Sequence, residues 1–387
     1  MTKVTYKDST LAPENKGKAA TRRKFLTGAA AAVAGGAAMV AAPNVSRAQT
    51  VTLKMQGSWS ATDIFNEMAM QYVDRVNAMS GGRLKIDYLV AGAVVAPFQV
   101  IDAVDKGVLD GAHTVPVYWY GKHKAASLFG TGPAFGQDAH HLIAWFYEGG
   151  GQELYNELQQ DILKLNVVGF LNFPMPTQPF GWFKTAPTSV DDVKGLKYRT
   201  VGLAADLFDK MGMVVTQLPG GEIVPALERG VIDAFEFNNP TSDMRFGAQD
   251  VIKNYMMGSY HQASESFEIL FTKSTFERLP EENQAILRHT VEAVNSTNFW
   301  LAMENYSRDL LELRDKHNVN ILRTPVEVEE QQLIAWDDLK DELSADPFMK
   351  KVIDSQRAWF ERVVYYERFN AANYKLAYEH NYGKLPF

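Results

Sequence analysis

"GLKYRTVGLAADLFDKMGMVVTQLPGGEIVPALERGVIDAFEFNNP", residues 195–240, decides the fold class. GLKYRT (195–200) reads as a strand, LAADLFDKMG as a helix and MVVTQL as a second strand; EIVPALERG and VIDAFEF repeat the helix and the strand. Alternation of this kind argues for an α/β fold built from βαβ units. The same order stands nearer the N-terminus: VTLKMQGSW (51–59), a helix carrying Phe65, Met68, Tyr72, Val73 and Val76, then LKIDYLV (84–90), then a short helix leading to GVLDGAHTV. Residues 139–165 read as helical, NVVGFLNFP (166–174) and FGWFKT (180–185) as strands, and FEILFTK (267–273) as the last strand; beyond Pro280 nearly everything reads as helix. Two sets of strands predict two α/β lobes, 49–165 and 166–273, with 274–387 as a helical region completing both. A cleft between lobes is where a small ligand binds.

Residues 1–48 are set apart from this pattern. A basic leader with Arg22-Arg23 precedes Phe25-Leu26, an Ala/Gly-rich apolar run and Ser46-Arg47-Ala48. That is the layout of an export signal, and the twin arginine predicts the Tat type and a periplasmic destination. The leader holds 8 Lys/Arg and 2 Asp/Glu; removing its six net positive charges takes the chain from −7 to −13. An acidic chain is a poor partner for nucleic acid, whose phosphates need a basic face. With no cysteine, disulfides, thiolate metal sites and thiol nucleophiles are excluded.

The common catalytic templates are missing: no G-x-S-x-G elbow, P-loop, H-E-x-x-H or strand-borne G-x-G-x-x-G occurs. The glycines of EGGGQ (148–152) follow a helix and read as a C-cap. His140-His141 are adjacent on a helix, which points them apart and suits packing better than chelation. Four polar residues remain. Arg199 ends a strand just ahead of a helix, where α/β ligands gather, and its planar fork suits a carboxylate. Gln178 lies in FPMPTQPFGWF (173–183), which three prolines make a stiff connection. Glu236 sits between Phe235 and Phe237, where a buried strand would ordinarily carry valine, and Glu265 opens another strand. Read singly each has a bland explanation; together they mark strand ends on one lobe.

These residues, with VAGAVVAPFQVIDAVDKGVLDGAHTVPVYWYGK, WFYEGGGQELY and PGGEIVPALERGVIDAFEFNNP, resemble the periplasmic substrate-binding proteins of TRAP transporters, in the branch that takes 2-oxo acids. The resemblance covers essentially the whole chain after the leader. It implies that Arg199 clamps a substrate carboxylate and that Gln178 touches both ligand and a cation. It further implies that Glu236 binds that cation through its side chain and Phe237 through its carbonyl, with Glu265, or else Gln262, completing the shell. The cation implied is Na⁺, or alternatively Ca²⁺, since only oxygen ligands are offered. The partners implied are a small organic acid and the membrane subunits of a transporter, with a homodimer formed through the aromatic C-terminal helix.

The sequence departs from that pattern at Phe237, where tryptophan is usual, and at Asn239, where glycine normally precedes the proline; Asn239 is a candidate polar contact. Trp59, Tyr118 and Trp182 are candidate apolar walls. A rival reading from the residues is a periplasmic hydrolase or lyase using Glu236 and Glu265 as paired carboxylates.

Overall fold

The computed structural model describes residues 50–385, so the leader predicted at 1–48 lies outside the described residues. Among the described residues eleven strands form two sheets. They are β1 (Val51–Gly57), β2 (Leu84–Leu89), β3 (Gly111–Thr114), β4 (Val167–Met175), β5 (Gly181–Phe183) and β6 (Lys197–Arg199), followed by β7 (Val214–Thr216), β8 (Ala234–Phe235), β9 (Asn254–Met257), β10 (Glu265–Thr272) and β11 (Asn320–Arg323). The first sheet has the order β2-β1-β3-β10-β4 and the second β11-β9-β5-β8-β6-β7. The βαβ units pair in parallel as expected, β1 with β2 and β3, and β6 with β7 and β8. In the first sheet β10 runs antiparallel between β3 and β4, and in the second β5 runs antiparallel between β8 and β9.

The lobe boundaries therefore differ from those the sequence pattern predicts. The range 166–273 puts β4 and β10 in the second lobe, yet they pair with each other, and β10 with β3, in the first sheet. The physical reason is that a β4–β10 pair joins segments about a hundred residues apart, and no local pattern reports such a pairing. β11, inside the tail that reads as nearly all helix, adds a strand to the second sheet beside β9. The chain consequently crosses between sheets at 176–180 and back at 258–264. These crossovers lie side by side: Gln178 N–H donates to Gln262 O at 3.1 Å, and Thr177 Oγ1 donates to Ala263 O at 2.9 Å.

A third connection is the helix Glu281–Asp315. Thirty-five residues at 1.5 Å each make a rod of about 50 Å, enough to serve both lobes. Leu287, Val291 and Val294 pack into the first-sheet core, Ala302 and Tyr306 into an aromatic cluster between the sheets, and Leu313 into the second-sheet core. Its buried positions recur every three or four residues on one face, but Asn283, Thr290, Asn298, Asn305 and Asp309 lie among them, so that face is not a continuous apolar stripe. Among the described residues no helix is long and apolar enough to cross a membrane.

His141 is buried and structural. Its Nδ1 accepts the Asp138 N–H at 3.1 Å in a capping box at the start of helix Ala139–Glu148, and its Nε2 lies 2.6 Å from Glu367. Gly149 caps that helix as expected, and Gly150 follows in the left-handed region at φ 85°.

Candidate functional site

The site begins with a defect in β4. Register against β10 slips so that Asn172 faces Phe267 and Pro174 faces Ser266, leaving Phe173 as the extra residue of a bulge. Phe173 adopts φ 53°, and Asn295 of the long helix accepts its displaced N–H at 2.9 Å. A bulge bends its strand, and here it is followed at once by the proline-rich crossover that carries Gln178 between the sheets.

Arg199, Gln178, Asn238 and Glu265 line one enclosed cavity, of about 20 Å³, together with Trp59, Tyr118 and Phe237. Every polar member is at most 5% exposed. Arg199 sits at the C-terminal end of β6, beside the end of β8, because those strands pair in parallel. Its Nε and Nη2 donate to Leu218 O at 2.8 and 2.7 Å; its Nη1 donates to Glu236 O at 2.6 Å and Glu236 Oε1 at 3.1 Å. These four bonds leave one of the five guanidinium N–H groups for another acceptor. The Phe237 ring lies 5.8 Å from the guanidinium carbon, within cation–π reach.

The two glutamates are poorly compensated. Glu236 is raised above the ordinary carboxylate value by burial, against the pull of Arg199, and its Oε2 has no hydrogen-bond partner. Glu265 is pushed up to about 8, first by burial, with hydrogen bonding from Gln178 acting in the opposite direction and the charge of Glu236 adding to the rise. Its Oε2 accepts from Gln178 Nε2 and from Asn238 Nδ2, the latter at 3.3 Å. The side-chain oxygens of Gln178 and Gln262 are also buried without partners. Buried polar atoms are nearly always satisfied. A cluster of orphaned oxygens around two carboxylates is the donor set of a hard cation, so these residues fit one. Glu236, Glu265 and Gln178 would hold it, with Gln262 adjacent.

Two expected contacts are placed elsewhere. Trp182 is fully buried in the second-sheet core, stacked 4.2 Å from Tyr255, with its indole N–H donating to Asp243 at 2.8 Å. β5 lies inside its sheet, so Trp182 meets core rather than cleft. Asn239 is the N-cap of helix Pro240–Arg245: its Oδ1 accepts from Ser242 N–H at 2.8 Å. Asn238, its neighbour, is the residue that lines the cavity.

Asn239 also begins a chain between lobes. Its Nδ2 donates to Asn238 Oδ1 at 2.7 Å and to Ser242 Oγ at 3.1 Å, and Ser242 Oγ donates to Asp63 Oδ1 at 2.9 Å. Asp63 caps the first-lobe helix Ile64–Met79. Nearby, Arg245 Nη1 pairs with Glu67 at 2.6 Å and donates to Thr62 O at 3.1 Å. The lobes are thus tied across the cleft beside the cavity.

Two sheets joined by paired crossovers and a shared helix, closed over a buried, charged cavity, define a two-lobed receptor for a small solute. Residues 55–348 match the model of bacterial extracellular solute-binding protein family 7, and the chain belongs to that family. It is 32% identical, over 78% of its length and 82% of the relative's, to a monocarboxylate 2-oxoacid-binding periplasmic protein of Nostoc sp.. Among solved structures it resembles a TRAP solute-binding protein of Bordetella bronchiseptica described with copurified calcium and picolinate: TM-score 0.81, 26% identity, 86% of this chain and 99% of that one. A TRAP periplasmic solute-binding protein of Colwellia psychrerythraea, described with calcium and pyruvate, gives TM-score 0.78 at 29% identity over 86% of this chain and 100% of that one. Its counterpart in Pseudoalteromonas atlantica, described with sodium and pyruvate, gives 0.79 at 28% identity over the same shares. The family consists of substrate-binding proteins of transporters, so paired-carboxylate catalysis is set aside.

Proposed function

We propose that the chain captures a small 2-oxo or 2-hydroxy monocarboxylate in the periplasm and passes it to the membrane subunits of a TRAP transporter. The observation that carries this reading is the meeting of Arg199, Glu265 and Gln178 at one enclosed cavity between the lobes, with Glu236 paired to Arg199 and oxygens left without partners. Arg199 offers its free N–H to the acid's carboxylate and exchanges the Leu218 carbonyl for a second oxygen, giving bidentate geometry. Bound Na⁺ or Ca²⁺ would offset the two buried glutamates and supply positive charge for the carboxylate and the 2-oxygen. Gln178, donating to Glu265 through its amide nitrogen, keeps its oxygen turned to ion and ligand. The support from relatives is that proteins of this fold bind pyruvate with calcium or with sodium.

Thermal melting with pyruvate, separately with Na⁺, Ca²⁺ and a chelator, tests it. A rise in Tm requiring acid and cation together is expected; no rise with any 2-oxo or 2-hydroxy acid contradicts the reading. The C-terminal helix Pro347–Asn370 leaves Tyr365, Tyr366 and Phe369 exposed, with Tyr374 and Tyr382 beyond it. We read this face as the contact of a homodimer. Replacing Tyr365, Tyr366 and Phe369 together by serine should halve the mass by light scattering, and an unaltered species would refute the dimer.

A further inference from the structure

Trp59 lines both the inner cavity of about 20 Å³ and an outer cavity of about 360 Å³, so it stands where the two meet. Its ring stacks on Phe267, centroids 4.7 Å apart, and meets Phe65 edge-on at 5.0 Å. Apolar contacts of this kind hold a ring in place but do not select which of its edges faces which way. The indole N–H does select: it can only donate, and when buried it needs an acceptor.

That acceptor is His113 Nδ1, 2.7 Å away. His113 is fully buried on β3, opposite Gly57 of β1 and Ile269 of β10. Two bonds fix the chain next to Trp59: Ser58 N–H donates to His113 O at 3.1 Å, and Ser58 Oγ donates to Thr114 Oγ1 at 2.8 Å. The imidazole then sets the edge of the indole. Burial lowers His113 to about 3, so the ring is neutral and carries one proton; an accepting Nδ1 leaves that proton on Nε2. Nε2 lies 3.4 Å from the Asn172 amide, whose oxygen has no partner of its own; turned toward Nε2, that oxygen satisfies both groups. Asn172 is the β4 residue just ahead of the bulged Phe173.

Three polar side chains in a buried string are costly among aromatic rings, where apolar residues would pack without them. Of the three, Trp59 alone lines the cavity. An indole free to turn would join the inner cavity to the outer one. Water reaching Arg199 and the glutamates would then weaken every charge interaction there.

Resting on the proposed carboxylate site, we infer that His113 is a positioning residue for it: Nδ1 holds the Trp59 indole as the wall between the two cavities, Asn172 keeps His113 in the tautomer that can do so, and neither touches the acid.

Calorimetric Kd values for pyruvate with cation present, measured on the exported full chain and on variants shown by circular dichroism to be folded, test this. The Trp59 indole N–H resonance, assigned as the one missing from Trp59→Phe, reports the bond directly. His113→Phe should weaken pyruvate binding about tenfold and move that resonance upfield, because a buried donor is left without an acceptor. His113→Gln offers an amide oxygen and should recover affinity to within about threefold of wild type. In a Trp59→Phe background the indole N–H is gone, so adding His113→Phe should alter Kd by less than about twofold. Should His113→Phe not fold, Asn172→Leu reads the same string: it should move the Trp59 resonance and weaken pyruvate binding about threefold. Wild-type affinity in His113→Phe, the same loss with or without the indole, or an unmoved resonance in Asn172→Leu overturns the positioning role and leaves the carboxylate site standing. No pyruvate binding by the wild type overturns the carboxylate site, and the role of His113 with it.

Discussion

Glu265 and Glu268 stand three residues apart on β10, both buried, both pushed above the ordinary carboxylate range by burial, and they have opposite meanings. Glu268 lies in the first-lobe core. Its Oε1 accepts from the Trp119 indole and its Oε2 from Tyr155 OH at 2.5 Å, so both oxygens are used. Glu265 lies beyond the bulge opposite Phe173, at the mouth of the crossover, among amides and a second carboxylate whose oxygens are unmet. A buried carboxylate is therefore no sign of function in itself. The sign is a set of neighbours that leaves lone pairs over.

The largest test of that contrast lies with the charge facing the pair. Arg199→Ala should weaken 2-oxo acid binding by more than about 100-fold, since two charge-assisted bonds are worth about 1.5–3 kcal/mol each. Arg199→Lys should recover only part, because an ammonium cannot bind both carboxylate oxygens in a fork. Next come matched substitutions on one strand. Glu265→Gln should cost about 10–100-fold in cation-dependent affinity, and Glu236→Gln a similar amount. Glu268→Gln should leave affinity unaltered; an equal loss at Glu268 would break the distinction between the two.

Glu268 should show instead in the pH dependence of stability. Its folded value, about 7, lies above the unfolded value. Its contribution is thus fully present below the ordinary carboxylate range and is lost as pH rises through about 7. Glu268→Gln mimics the protonated form, so the ligand-free variant should lose less Tm than the wild type between pH 5 and 7, the rest of the fall coming from Glu265 and the other raised carboxylates. Parallel melting curves over that range would refute this. The smallest effect is expected at the inter-lobe tie: Arg245→Ala removes a half-exposed ion pair worth up to about 1 kcal/mol, raising the ligand's dissociation rate by no more than about fivefold.

Much of the site could be read from residues whose chemistry jars with their pattern. Arg199 at a strand end and Gln178 in a proline-stiffened turn reach the cavity, and Glu236 between phenylalanines pairs with Arg199. Alternation could not distinguish cleft from core at Trp182, because an interior strand buries both faces. Alternation puts Asn238 on the face of Glu236 and Asn239 on the other, and Asn238 lines the cavity; that Asn239 caps a helix is decided by the turn before Pro240. βαβ units are local and were legible; the β4–β10 pair and the bulge at Phe173 depend on contacts across some hundred residues and were not. The strand Asn320–Arg323 has mostly exposed side chains and carries little apolar signal.

The most direct test of the account is calorimetric titration of pyruvate into the wild-type protein and Arg199→Ala, each with sodium present and each shown by circular dichroism to be folded. Saturable one-site binding in the wild type and none in the variant is the expected result; equal affinity in both would contradict the claim that the cavity beside Glu236 and Glu265 is where the acid binds.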